Sequence, residues 1–187
     1  ELVAVFPNLN HIESYEWTKN NKFLNNNFWF YTLFWTIGST IFYTVYFQKI
    51  LQIKLFKDIL KYSRYVFILV AFVLIFKDFN KLFKTGYTLL DYINTLLVVG
   101  SVILYFIEVL LTNKILKFYR NINFYIASSV FIWWLITMPL SIFGEYYHEN
   151  DLDFVNLNRT LIYISNIFMY SCFAIGLIVS KPEQEIN

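Results

Sequence analysis

The sequence predicts an all-α fold, a polytopic transmembrane helical bundle of about five spans, and three observations carry that expectation. First, only 15% of the 187 residues are charged while 58% are hydrophobic. A soluble domain normally carries about 25% charged residues, so there is too little charge here to face water on every side. Second, the charges are segregated. None lies between Lys22 and Lys49, Arg64 and Lys77, Asp91 and Glu108, Arg120 and Glu145, or Arg159 and Lys181. Third, Lys and Arg gather in the connections from Gln48 to Arg64 and from Asn113 to Asn123, as they do on the cytoplasmic side of membrane proteins, although the connection from Lys77 to Leu89, expected outside, also carries three lysines.

At the N-terminus, Glu1 to Phe6 followed by Pro7 reads as the end of an apolar helix stopped by a proline, which predicts helices upstream of it. Residues 1–27, with Glu13, Glu16, Lys19 and Lys22, are expected as an external segment. The first span is 28–47, since about 20 mainly apolar residues cross the hydrocarbon. The connection from Gln48 to Arg64 holds Lys49, Lys54, Lys57, Lys61 and Arg64. Within it Lys54, Lys57, Asp58 and Lys61 share one helical face and Leu51, Leu55, Ile59 and Tyr62 another. That spacing is amphipathic and suits anionic lipid or a cytosolic partner.

The second span is expected at 62–79. Its uncharged part, Tyr65 to Phe76, is short, and snorkelling Arg64 and Lys77 complete it. Spans at 90–112, 124–144 and 161–180 follow, with 181–187 as a cytoplasmic tail. Lys114, Lys117 and Arg120 mark a second inner loop, and the acidic loop from Glu145 to Thr160 falls outside. The N-terminus is therefore expected outside and the C-terminus inside. The bias toward Phe, Ile, Tyr, Asn and Lys fits an AT-rich genome, and the expected location is the inner (cytoplasmic) membrane of a bacterium.

Chemistry inside a membrane needs polar groups held there against a desolvation cost. Asp91, Asn94, Ser101, Tyr105 and Glu108 fall on one stripe of the third span. The stripe is expected to face the bundle interior, either as hydrogen-bonding glue between helices or as the lining of a polar path from Asp91 to Glu108, with Lys114 or Lys117 in reach of the latter. Tyr163, Asn166 and Tyr170 form a milder stripe on the last span and are candidate partners for the first. Trp133, Trp134 and Pro139 could shape an apolar pocket, although such residues more often fill a core.

Glu145, His148, Glu149, Asp151 and Asp153 gather in the outer acidic loop as a weak metal candidate, more simply read as a solvated turn because their spacing matches no cation-binding loop. No metal, haem or other cofactor is expected. The lone Cys172 excludes an internal disulfide, both histidines lie in external segments, and no hydrolase or phosphate-binding motif is present.

Three classes of function follow. The leading one is a membrane module without catalytic activity, a sensor, anchor or subunit of a larger membrane complex. Its partners would be the lipid bilayer and either other membrane subunits or copies of itself, and nucleic acid is not among them. The second is a small transporter or channel component using the third-span stripe. The third is a lipid-modifying membrane enzyme built on the outer cluster around His148.

Overall fold

The structure, a computed structural model, describes residues 28–84, 86–112, 121–144 and 152–180. Of these, 92% are helical and none lies in a strand. The expected external segment 1–27, the inner-loop residues Lys114, Lys117 and Arg120, the outer-loop residues Glu145, His148, Glu149 and Asp151, and the tail 181–187 lie outside the described residues.

Five helical columns make up the fold: α1 (28–50), α2 (Lys54–Lys77), α3 (Thr88–Leu111), α4 (Ile122–Gly144) and α5 (Leu152–Val179). Four of these are long and apolar enough to cross a membrane, namely Lys54–Lys77, Thr88–Leu111, Ile122–Leu140 and Asp153–Val179. α1 is a continuous helical run interrupted by a π-helical stretch, Tyr31–Ile37, where the Gly38 amide reaches back to the Leu33 carbonyl. The result is an all-α bundle of about five spans.

α2 runs well upstream of Arg64. The amphipathic stretch around Lys54 to Tyr62 is its first turns, so its 24 residues rise about 36 Å, more than the ~30 Å hydrocarbon thickness. Its extra length, about four residues, lets Lys54 and Lys57 extend beyond the apolar layer. Leu55, Ile59 and Tyr62 are exposed on the outside of the bundle, while Leu60 is buried against Leu51 and Phe47. α5 likewise begins at Leu152 inside the expected outer loop. Asp153, Asn156, Asn158 and Arg159 end the apolar run there, but a helix can continue through polar residues once it leaves the hydrocarbon.

α1 and α3 lie parallel, because Thr36 meets Asp91, Thr40 meets Asn94 and Phe47 meets Tyr105. α2 returns antiparallel to both, and Leu51, Leu60, Val98, Val102 and Val109 share its buried cluster with them. Between α2 and α3 the chain makes a turn stabilised by the Tyr87 hydroxyl, which donates to the Asp78 carbonyl at 2.8 Å. Burial, with the nearby Asp78 carboxylate adding to it, pushes the Tyr87 phenol above its ordinary value, so it stays a donor. Gly86 takes a φ of 70°, a backbone region that suits glycine, and its amide closes onto the Lys81 carbonyl at 2.9 Å.

α4 and α5 form an antiparallel hairpin, in which Trp133 meets Asn166 and Tyr125 meets Gly176. The hairpin joins the rest through α3, where Phe106 contacts Phe124 and Phe131 edge-on, and through two contacts to α1 described below.

Candidate functional site

The polar interior lies along the seam between α1 and α3. On the α1 side stand Thr32, Thr36, Thr40 and Thr44, every fourth residue and each no more than 2% exposed. An α-helix turns about 400° in four residues, so such a row drifts ~40° per step. The wider π turn between Tyr31 and Ile37 takes back part of that drift and keeps the four threonines buried on one side of α1, where Thr36 and Thr40 meet α3. Small side chains of this kind let two membrane helices approach closely. Thr44 also donates to the Thr40 carbonyl of its own helix, and Thr40 Oγ1 lies 2.8 Å from the Thr36 carbonyl, so its single proton is shared between that carbonyl and α3.

On the α3 side the structure brings the predicted stripe into the bundle: Asn94, Ser101, Tyr105 and Glu108 are buried and Asp91 is half-buried. The Thr36 hydroxyl donates to Asp91 Oδ1 at 2.6 Å. The Thr40 hydroxyl donates to Asn94 Oδ1 at 2.7 Å, with Ser39 adding a longer contact to the same oxygen at 3.4 Å. Ser101 donates to the Leu97 carbonyl of its own helix, and the Tyr105 ring packs on Phe47 and Phe106.

Glu108 has an unexpected role. The chain between α1 and α2 is only the extended stretch 51–53, and Ile53, the N-cap of α2, makes no side-chain cap of its own. Glu108 supplies it from the neighbouring helix. Its Oε1 and Oε2 accept from the Gln52 amide at 2.8 and 2.9 Å, and Oε2 also accepts from the Ile53 amide at 2.9 Å. Amides left without a partner at a helix start, together with the positive end of the helix dipole, favour a carboxylate there. Glu108 is only 2% exposed.

Asp91 and Glu108 sit about 25 Å apart along α3, each engaged by a donor on or next to α1. Between them stand Asn94, which accepts from Thr40, Thr95 and Ser101, each bonded to a carbonyl of its own helix, and the Tyr105 ring packed among aromatics. This arrangement ties helices together.

On the last span, Asn166 pairs with Trp133, for which the sequence suggested core filling or a pocket: Trp133 Nε1 donates to Asn166 Oδ1 at 2.7 Å. Trp133 also meets Trp35 of α1 edge-on at 5.6 Å and Trp134 at 5.2 Å. Trp134 is buried and Pro139 exposed within α4. Trp133 and Trp134 pack helices, and the apolar cleft between α1 and the α4–α5 hairpin is lined by other side chains. Tyr163 and Tyr170 point away from the third-span stripe, at 55% and 65% exposure. Asp153 is exposed in the first turn of α5, and no group of metal-ligating side chains occurs among the described residues. Replacing Trp133 with Phe should remove one interhelical hydrogen bond and lower stability by about 1 kcal/mol. Unfolding of the variant by titration with a denaturing detergent checks this.

Two features escaped the sequence reading. The threonine row was visible as a four-residue repeat, yet Thr is so readily tolerated in an apolar span that it drew no notice. The capping of α2 left no local signal, because donor and acceptor lie 55 or 56 positions apart.

Comparison with protein families, with curated proteins and with solved structures finds no match. The fold and its interior define a class, a helical-bundle protein whose apolar helices fit a membrane.

Proposed function

We propose that the chain is a membrane module without catalytic activity that serves as a subunit, anchor or sensor within a larger membrane assembly. It would lie in the cytoplasmic membrane of a bacterium with its basic ends inside, as the positive-inside rule orients it. The observation that carries this reading is the outer face of α5. Only 11% of its spanning window is buried in the bundle, and the uncovered face mixes Ile164, Ile167 and Ile178 with Tyr163, Tyr170 and Ser171. Of the two phenols, Tyr163 lies only about one turn past Arg159, where the helix leaves the hydrocarbon, whereas Tyr170 stands about 14 Å or more from both Arg159 and the C-terminal end of α5. Hydrocarbon offers a hydroxyl no partner there, whereas a neighbouring helix does.

The polar interior supports the same reading, since its carboxylates and amide accept hydrogen bonds from the chain's own donors. The test is the mass of the full chain in mild detergent, by light scattering with the detergent subtracted. A particle larger than one 22.5 kDa chain is expected. In a Cys172→Ser background, Ile167→Cys should crosslink to a neighbouring protein helix. A monomer that gives no crosslink in either detergent or vesicles would overturn the proposal.

A further inference from the structure

A cleft of about 280 Å³ opens between α1 and the α4–α5 hairpin. Phe42, Tyr43 and Tyr46 of α1 form one wall, and Ile126, Phe173 and Leu177 of the hairpin the other. The Phe42 and Tyr46 rings are stacked nearly parallel, 12° apart, giving that wall a flat surface. At one end the cleft is bridged by the Tyr46 hydroxyl, which donates to Asn123 Oδ1 at 2.7 Å. Farther along α1, Trp35 meets Trp133 and closes the gap again. The helices are thus held apart at a fixed spacing between two contacts, so the space does not simply collapse.

We propose that this cleft holds one acyl chain of an anionic phospholipid, with the headgroup at Lys49. The cleft is narrow and almost wholly apolar, and it occupies the last turns of α1, the first of α4 and the last of α5. Those are the turns at the end of the bundle where Lys49, Lys54, Lys57, Lys61 and Arg64 face a single acidic residue, Asp58, between positions 48 and 64. Phe42, Tyr46 and Lys49 are spaced i, i+4 and i+7, so they share one helical face. The lysine is exposed one turn beyond the cleft and pairs with no carboxylate among the described residues. An apolar slot under an unpaired cation has the two halves of an anionic lipid's chemistry. The inference requires that the chain spans a bilayer, and it does not require a protein partner.

The test is native mass spectrometry of the full chain after delipidation in mild detergent. The probe is an equimolar mixture of phosphatidylglycerol and phosphatidylcholine with identical acyl chains. One phosphatidylglycerol should be retained in preference. Lys49→Gln should cut that preference about fivefold while leaving phosphatidylcholine retention unchanged. Ile126→Trp fills the cleft and should reduce retention of both lipids several-fold. Leu177→Trp does the same from the rim, where the native side chain is 68% exposed and the larger ring is tolerated. Retention of both lipids by the Leu177→Trp protein at the wild-type level would overturn the acyl-chain site. An unchanged preference in Lys49→Gln would overturn the headgroup assignment. Neither result alters the expected mass of the assembly, so this inference and the subunit reading fail separately.

Discussion

Replacing Glu108 with Ala is expected to destabilise the bundle by about 3 kcal/mol, because it leaves the Gln52 and Ile53 amides without acceptors at ~1–3 kcal/mol each. For a chain of this size that corresponds to a fall in melting temperature of very roughly 5–10 °C. The cause is specific. Among the described residues no other side-chain acceptor caps α2, and the Glu108 carboxylate meets both amides within 2.9 Å. Glu108→Gln keeps one oxygen acceptor and should lose about half as much. Thermal unfolding of purified protein in detergent decides the matter. If Glu108→Gln melts with the wild type yet abolishes solute flux in vesicles, the carboxylate belongs to a transport path and its capping role is incidental.

The second large effect is expected at Gly176. A methyl group built there would stand 2.9 Å from the Tyr125 Cβ and 3.2 Å from its Cγ. The Tyr125 Cβ is fixed to the backbone of α4, so a rotamer change cannot clear the way and the two helices must separate. Gly176→Ala should cost about 1–3 kcal/mol as an overpacked contact, and Gly176→Leu more. Gly100→Ala serves as the control, because nothing lies within 4 Å of the added carbon, and it should be neutral or slightly stabilising. The same melting experiment applies. Equal stability of Gly176→Ala and Gly100→Ala would show that α4 and α5 do not meet closely at this point.

Both variants probe features that lie at different distances from what a sequence displays. That α3 turns Asn94, Ser101, Tyr105 and Glu108 inward was legible, since lipid cannot hydrogen-bond polar groups and the helical period places them on one face. What each of them bonds was not. The donors that Glu108 accepts from come from the connection between α1 and α2, far from it in the chain, while Lys114 and Lys117 lie outside the described residues. Asn166 invited pairing with the Asp91 stripe on grounds of polarity, and it bonds Trp133, whose mid-span position had suggested core filling or a pocket.

Composition and the order of charged residues were enough by themselves to determine the all-α class, the approximate number of helical columns and the apolar character of each. Those properties depend on local averages: a lipid-compatible helix needs a long apolar run, and any run of that kind will serve. The tertiary structure alone decided the true starts of α2 and α5, the threonine seam, the carboxylate that caps a neighbouring helix and the cleft at the basic end. Each of these depends on which side chains meet across helices, and the energy of a hydrogen bond or a close contact is set by a separation in space that residue spacing along one helix does not encode.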